Sequence, residues 1–487
     1  MKKKSLGINA LLNGLRSALN LIFPLITFPY VARVLSVEGI GIYNFSNIYV
    51  NYFVLLAGLG IATYAVREGA KYRDDKRKIS TFSSEIFSIN IISTIIAYLL
   101  LIISLIVFKN LHNYVSTILI FSLQILFTTI GTEWIYTIYE DYSYITVRSI
   151  IFKVFSIILL FIFVRKPNDY VWYAGITVFS SVGSNILNFV HARSFIEIHF
   201  VKSINVKRHL KPILIIFAST VAVTLYVSSD TTILGLLKND YAVGIYSVAV
   251  KIYTLTNGLL GGLLIVTVPR LAMLLGNKRM KDYTILLSQV INMITILIFP
   301  IATGLIMLSK EVILIIAGEK YLNSIFSLQI IAMALGFSIF SSIFDQCVLI
   351  PAKRERFVLR NTLITGVANV LLNFIMIPLI SYDGAALTTV MSEAIVMSLN
   401  LRSARDIVGP IIFSKDNVKN VFSSLIGCLG IVLVCSLCKL EMHSLILCII
   451  VSVILSIIVY GIILIFCGNE IALFYLKKIK NRKNKLL

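Results

Sequence analysis

The sequence predicts an all-α integral membrane protein with about fourteen transmembrane helices, arranged as two six-helix lobes followed by two further helices. Three observations predict this fold class. The mean hydropathy is +0.91 and only 14% of the 487 residues are charged, which is too little polar surface for a soluble domain. Apolar stretches of membrane-spanning length recur along the chain. A sequence pattern of the first half also recurs in the second.

The apolar stretches are each about 20 residues or longer, which is the length a helix needs to cross a hydrocarbon core of about 30 Å. Short connections separate them. In chain order the predicted spans are 8–30, 40–64, 82–107, 114–137, 143–165, 170–192, 209–236, 241–266, 284–308, 324–350, 357–380, 383–402, 418–438 and 442–467. The first stretch is longer than the apolar region of a signal peptide and contains Arg16, so we expect it to remain as a helix.

The distribution of basic residues orients the predicted helices. Of the 44 lysines and arginines, eight lie in loops assigned to the outer side, five lie inside predicted spans, and the rest flank the cytoplasmic ends. This asymmetry follows the positive-inside rule and predicts that both termini are cytoplasmic. It also explains the net charge of +21 without a nucleic-acid partner, because the basic clusters would face an anionic membrane leaflet.

Two sequence echoes predict an internal repeat. The stretch from Leu35 through Gly41-Ile42-Tyr43 matches the stretch from Leu237 through Gly244-Ile245-Tyr246, at an offset of 203 after a one-residue adjustment. The triplet around Arg148 is matched in the same way by the triplet around Arg360. Both matches shift the chain by six helices, which preserves orientation and is typical of parallel repeats in carriers, although chance similarity between apolar stretches is the alternative. We therefore predict domains at 1–200, 201–405 and 406–487, the last comprising helices 13 and 14 and a basic cytoplasmic tail.

Few residues indicate enzymatic or metal chemistry. The predicted outer loops are too short to hold an extracytoplasmic catalytic domain, which argues against an enzyme. The six cysteines resemble small hydrophobic residues of the spans rather than metal ligands. The five histidines lie at predicted helix ends or in loops, which argues against a metal site or a buried histidine base; they are His112, His191, His199, His209 and His443.

Five basic residues lie inside predicted spans, where a cation costs about 2.5 to 3.5 kcal/mol unless something compensates it. They are Arg16, Lys153, Lys251, Arg148 and Arg360. Arg148 and Arg360 lie near predicted cytoplasmic ends, so their side chains could reach the interface instead. Arg16, Lys153 and Lys251 lie near mid-membrane, and we expect them to line a polar cavity that binds substrate, with a structural ion pair as the alternative.

Polar residues accompany these cations. Asn13 and Asn20 flank Arg16 at helical spacing and predict one polar stripe on helix 1 that faces the cavity. Asp230 and Glu393 lie deep in predicted helices 7 and 12. They are candidates for coupling transport to a proton or sodium gradient, and pairing with Lys251 is the open alternative.

The first two predicted helices contain five short motifs: PYVARVL at 29–35, EG at 38–39, GIY at 41–43, GLGI at 58–61 and YAVRE at 64–68. Predicted helices 11 and 12 contain Asn373, Pro378, Gly384-Ala385-Ala386, Thr388 and Glu393. In order and spacing these residues resemble bacterial polysaccharide repeat-unit (O-antigen or capsule) flippases of the Wzx type, in the multidrug/oligosaccharidyl-lipid/polysaccharide (MOP) exporter superfamily. One departure is Ser36, where the family usually has glycine.

The resemblance implies a V-shaped exporter fold that opens alternately to either side of the bacterial cytoplasmic membrane. It implies a transporter without a bound cofactor, whose substrate is an oligosaccharide on polyprenyl pyrophosphate and whose partners include membrane lipids and polysaccharide polymerase machinery. A flippase for lipid II or a teichoic-acid precursor would use the same cationic cavity and stays open as an alternative. A cation-coupled multidrug exporter is a weaker alternative, because such exporters would carry an acidic residue where this chain has Arg16.

Overall fold

The structure is a computed structural model that describes residues 6–201, 206–265 and 267–473. The side chains of residues 6–13, 15–17, 21, 206–207 and 265 are not described, so the predictions for Arg16 and Asn13 lie outside the described residues. Within the described ranges the chain is helical and contains no β-strand. This confirms the all-helical class predicted from the sequence.

Contacts divide the chain into two compact units, Met1–Gly244 and Ile245–Leu487. The described residues of the first unit form ten helices and the start of the eleventh. The boundary does not coincide with the predicted lobe boundary at residue 200, because α10 packs on α2 and α3. The helices are α1 (Leu6–Val34), α2 (Val37–Gly58), α3 (Ile61–Gly69), α4 (Lys76–Val107), α5 (Val115–Gly131), α6 (Glu133–Ile138), α7 (Tyr142–Phe163), α8 (Tyr170–Val182), α9 (Asn185–Ala192), α10 (Val206–Leu237) and α11 (Asp240–Ile265).

In the second unit, residues 245–265 and 267–473 form the rest of α11 and eight further helices. Helices α18 and α19 pack on each other, and α18 packs on α13. The hydroxyl of Tyr460 in α19 donates to the carbonyl of Ile296 in α13 at 3.0 Å. The additional helices are α12 (Val268–Gly276), α13 (Met280–Met307), α14 (Ser309–Ile316), α15 (Ser324–Ile343), α16 (Glu355–Ser403), α17 (Arg405–Ile412), α18 (Lys415–Glu441) and α19 (Leu445–Phe466).

Eleven helical segments within the described residues are long and apolar enough to cross a membrane. Glu355–Ser403 is one of them, although the non-helical Ile380 and Ser381 bend it between the predicted spans 357–380 and 383–402. The predicted span 170–192 is divided into α8 and α9, and neither half has spanning length. The prediction of a multi-pass membrane protein is therefore confirmed, whereas the count of fourteen stays a prediction.

The same tyrosine–threonine contact occurs within each of the two units. In the first unit the hydroxyl of Tyr43 on α2 lies 3.0 Å from the hydroxyl of Thr177 on α8. In the second unit the hydroxyl of Tyr246 on α11 lies 3.0 Å from the hydroxyl of Thr389 on α16. The tyrosines are 203 positions apart, the same offset as the sequence echo. The repeat is therefore a structural repeat and not chance similarity.

Buried amides hold the two halves of α16 together. Asn361 donates to Asn400 at 2.8 Å, Asn369 donates to Ser392 at 3.0 Å, and Thr388 donates to Asn373 at 2.6 Å. Within a membrane such polar side chains join helices, because the alternative is an unsatisfied polar group in hydrocarbon. Two residues of the hairpin motif, Asn373 and Thr388, therefore join the two halves of α16.

Candidate functional site

Lys153 and Asn20 lie together between α1 and α7. The ammonium of Lys153 donates to the side-chain carbonyl of Asn20 and lies 6.0 Å from the centroid of the Phe23 ring. Lys153 is half-buried and Asn20 is exposed on α1. Packing of α1 on α7 therefore brings together two residues that the sequence predicted separately for the cavity.

Arg148 and Arg360 do not join this pair but tie helix ends within their own units. Buried Arg148 donates to the carbonyl of Ser184 at 3.4 Å, and its guanidinium is 3.8 Å from a carboxylate oxygen of Glu133. Exposed Arg360 donates to Asn361 at 3.1 Å and to the hydroxyl of Ser403 at 3.4 Å. Each arginine thus reaches a serine at the end of the hairpin that its own helix begins.

The second unit holds an acidic cluster of Glu393 and Asp345, of which Glu393 contacts α11. The hydroxyl of Tyr253 donates to Glu393 at 3.2 Å, and Glu393 is buried. The carboxyl of Asp345 lies close enough to Glu393 for their charges to repel each other. Lys251 is half-buried on the same helix as Tyr253. Carboxylate and hydroxyl oxygens are the ligands that small cations prefer, so within this group Glu393, Asp345 and Tyr253 are the residues that could bind one.

Asp345 is not among the site residues predicted from the sequence. In the structure it lies in a π-helical turn, Phe344–Leu349, that follows α15. Its Oδ1 atom is buried and has no hydrogen-bond partner among the described residues. Single π-helical turns are frequent at functional sites. The sequence offered no signal for this turn, because its residues are compatible with an ordinary helix.

Asp230 does not belong to this acidic cluster, because it lies in the other compact unit. It is buried on α10 in the first unit, whereas Lys251 and Glu393 belong to the second. The sequence had grouped all three in one lobe. Tyr52 of α2 lies within electrostatic range of Asp230, and its hydroxyl is 2.8 Å from the hydroxyl of Thr232.

The expectation that no histidine is buried is wrong for His209. This residue is fully buried at the start of α10. Its Nδ1 atom is 2.8 Å from the hydroxyl of Tyr64, and its Nε2 atom is 2.8 Å from Oε2 of Glu85. A position at a helix end predicts exposure only if no other helix covers that end, and here α3 and α4 cover it.

A metal centre has no support in the part of the chain that the structure describes. No group of three or more histidine, cysteine, aspartate and glutamate side chains there could hold a metal ion. The six cysteines are free, and all except Cys467 are buried.

Comparison with known proteins identifies the relatives of this chain. A family model described as "Polysaccharide biosynthesis protein" matches residues 6–275. A protein of Escherichia coli (strain K12) named "Putative O-antigen transporter" is 26% identical over 408 residues, which cover 83% of this chain and 98% of the relative. A protein of the same name from Shigella dysenteriae is 24% identical over 406 residues, covering 82% of this chain and 99% of the relative.

Two solved structures share the fold. The lipid II flippase MurJ in an inward closed conformation has a TM-score of 0.75 and 16% identity, covering 95% of this chain and 99% of MurJ. An inward-facing multidrug resistance MATE family transporter of the MOP superfamily has a TM-score of 0.61 and 14% identity, covering 82% of this chain and 99% of that transporter. At these identities the similarity establishes the fold alone, which is the exporter fold predicted from the sequence.

The relatives are transporters and flippases, which confirms the prediction of a transporter and not an enzyme. The family match also covers more than half of the 487 residues. The chain therefore belongs to the polysaccharide biosynthesis protein family.

Proposed function

We propose that the protein is a flippase that carries a polyprenyl-pyrophosphate-linked oligosaccharide repeat unit from the cytoplasmic to the outer leaflet. The observation that carries this proposal is Lys153, a lysine within a membrane-spanning helix that contacts Asn20 of α1. Family membership and the names of the relatives support polysaccharide export. Together they favour a substrate with both a phosphate group and a glycan.

The chemistry of this substrate explains why a cation is placed within the span. A diphosphate headgroup has to cross about 30 Å of hydrocarbon, while the lipid tail can remain in the bilayer. An ammonium group binds phosphate through charge-assisted hydrogen bonds, and the amide of Asn20 is suited to sugar hydroxyls. Arg16 and Asn13, on the same helix, remain predicted members of this cationic cavity.

The proposed setting is the bacterial cytoplasmic membrane, with both termini in the cytoplasm. The excess of lysine and arginine in one set of loops supports this orientation. Delivery of repeat units to the outer leaflet would supply a polysaccharide polymerase acting there, which makes that machinery the expected partner.

We propose a proton or sodium gradient as the driving force. Glu393 is the stronger candidate for coupling, because Asp345 and the hydroxyl of Tyr253 are near it. Two nearby carboxyls favour binding of a proton or cation between them. Asp230, beside Tyr52 in the first unit, is the second candidate.

Lys153 substitutions test the proposal directly. In cells that depend on this protein, Lys153→Ala should lower export about tenfold or more, since one hydrogen bond to a charged group contributes about 1.5–3 kcal/mol. Lys153→Arg should retain more export than Lys153→Ala because it keeps the charge. Lys109→Ala is the matched control, because Lys109 is exposed outside the long helices. Normal surface polysaccharide in the Lys153→Ala variant, at normal protein levels, would overturn the proposal.

A lipid II flippase is the second candidate, favoured by the fold similarity to MurJ over 95% of this chain. The species that accumulates in the cytoplasmic leaflet of the Lys153→Ala variant separates the two. Lipid-linked oligosaccharide repeat units support the first candidate, and lipid II supports the second.

A further inference from the structure

We propose that His209 and Glu85 form a proton-binding site at the cytoplasmic end of the first unit, in addition to the acidic residues Glu393 and Asp230. The inference deepens the proposed function and rests on its orientation, in which α4 and α10 both begin at the cytoplasmic face. All residues of the site belong to the first compact unit, Met1–Gly244.

The imidazole of His209 is fully buried at the start of a membrane-spanning segment. Its Nδ1 atom lies 2.8 Å from the hydroxyl of Tyr64, and its Nε2 atom lies 2.8 Å from Oε2 of Glu85. The rings of Tyr64 and Phe82 pack against it at steep angles, each with 5.8 Å between ring centroids. A buried polar ring is stable only when its polar atoms are hydrogen-bonded, and here both nitrogens are.

The partners of the two nitrogens let the ring accept a proton without a change in packing. A carboxylate only accepts hydrogen bonds, so the contact with Glu85 assigns a proton to Nε2. In the neutral ring, Nδ1 then accepts the hydroxyl proton of Tyr64. When a proton from water binds to Nδ1, the O–H bond of Tyr64 rotates and its oxygen accepts instead. The product is an imidazolium of charge +1 between the Tyr64 oxygen and the Glu85 carboxylate.

Glu85 supplies the opposite charge in contact with this imidazolium. The other titratable or charged groups around the ring are Arg67 and Glu68 of α3, Tyr72 after α3, and Arg208 and Lys211 of α10. The three basic residues are exposed, so water and salt screen their charges. Helix α2 also packs on α10, but its Tyr52 faces Thr232, 23 positions further along the chain than His209.

A polar cavity gives Glu85 access to water. The side chain of Glu85 is 18% exposed, whereas that of His209 is 0% exposed. The cavity beside Glu85 has a volume of about 520 Å³ and includes Lys76, the first residue of α4. Its wall also contains the hydroxyls of Ser80, Thr81 and Ser84. Such a wall can hydrogen-bond water, so a proton can reach the buried ring past Glu85.

The segment 197–201 forms another wall of this cavity and is held against α4. Every second backbone amide of the segment donates to a serine hydroxyl one turn further along α4. The pairs are Glu197 with Ser80, His199 with Ser84 and Val201 with Ser88, at 3.3, 3.3 and 2.9 Å. These contacts keep the cavity beside Glu85, and they place Glu197 there as a second carboxylate that has no contact with His209.

Solid-state NMR of the full chain in lipid bilayers, with ¹⁵N-labelled histidine, tests the site. The signals of His209 are identified by their loss in His209→Gln. Lowering the pH from about 8 to about 5, the range in which histidine changes charge, should convert the ring from the neutral form protonated on Nε2 to the imidazolium. A ring that stays neutral at pH 5, or whose neutral form carries its proton on Nδ1, would overturn the proposal.

Two carboxylate variants show whether Glu85 holds the charge. Glu85→Gln keeps an acceptor for Nε2 and removes only the negative charge. At a pH where the unsubstituted protein shows both forms, it should lower the ratio of charged to neutral ring about tenfold or more, because a nearby opposite charge favours the charged form by about one unit or more. Glu197→Gln is the matched control and should change the ratio less than about twofold, because Glu197 is exposed. Equal ratios in the two variants would contradict the site.

The outcomes separate this site from the proposed function, because the spectra need no substrate. An imidazolium at His209 in a protein that does not export polysaccharide would leave the site standing and refute the proposed function. A ring that stays neutral in a protein that does export polysaccharide would refute the site alone.

Discussion

The two compact units share a scaffold and differ in the charges they carry. Both make a tyrosine–threonine contact at 3.0 Å between repeated helices. Beside that scaffold the first unit places Lys153 with the neutral Asn20, whereas the second places Glu393 with Tyr253 and near Asp345. The repeat has therefore preserved the helix packing and not the chemistry. With Glu393 as the coupling residue, we expect substrate and driving ion to use different units.

The arginines of the repeat show the same divergence. Arg148 and Arg360 each reach a serine near a helix end, but Arg148 is buried beside Glu133 and Arg360 is exposed. Asp230 adds a buried acid to the first unit, which also carries Lys153. An acid beside Tyr52 means that the first unit is not purely cationic.

The largest expected effect comes from placing a carboxylate beside Lys153. Asn20→Asp should lower export about tenfold or more, because a carboxylate beside Lys153 would pair with the ammonium and compete with the phosphate. Asn20→Ala should have a smaller effect, since it leaves the lysine available. Export assayed as surface polysaccharide checks both variants. Full export with Asn20→Asp would show that Lys153 does not bind the anion.

Removing the repeated arginines should affect stability unequally. Arg148→Ala should reduce the free energy of unfolding by about 1–3 kcal/mol, because it leaves the carbonyl of buried Ser184 without this donor. Arg360→Ala should cost about 0–1 kcal/mol, the range for exposed polar contacts. Denaturant titration of the purified protein in detergent measures both. Equal losses of unfolding free energy would mean that the difference in burial does not affect how much each arginine stabilises the fold.

The repeated hydroxyl contacts should respond alike. Tyr43→Phe and Tyr246→Phe each remove one buried hydrogen bond and should each cost about 0.5–1.5 kcal/mol of unfolding free energy. The two values should agree to within about 0.5 kcal/mol if the contacts are equivalent. A large difference, measured by the same titration, would show that only the geometry is repeated.

The smallest effect is expected at the ion pair between Arg354 and Asp406, outside the spanning helices. The guanidinium donates to both carboxylate oxygens, at 2.7 and 2.6 Å, and its hydrogen bonds hold the pKa of Asp406 below its usual value. Because the pKa of Asp406 is lower in the folded state, its ionised carboxylate stabilises the fold at any pH above the unfolded-state pKa of about 3.9. This contribution is lost as the pH falls through the lower pKa of the folded state.

Asp406→Asn should therefore cost about 0.2–1 kcal/mol at pH 7, because the pair is exposed. The difference from the unsubstituted protein should shrink below about pH 4. Unfolding free energies at pH 7 and pH 3.5 check this, and Asp416→Asn, at another exposed carboxylate in the first turn of α18, serves as a control. A difference that stays constant with pH would exclude the ion pair as its cause.

Parts of the candidate site could be predicted from the chain and parts could not. Lys153 and Asn20 were selected because each breaks an apolar stretch, and that signal is local. Their pairing depends on which face of α1 meets α7, which spacing alone does not determine. His209 and Asp345 were missed because burial at a helix end depends on neighbours that are distant in sequence.

The sequence by itself determined the membrane-spanning class, because hydrocarbon requires long apolar helices whose backbone groups are satisfied internally. It also determined the repeat, since Gly41 and Gly244 stand at the same place in two similar stretches. Only the tertiary structure decided which buried charges meet, and that these two glycines lie against each other's helices. These contacts join residues that are distant in the chain, so they depend on the surface of the partner helix and not on the local sequence.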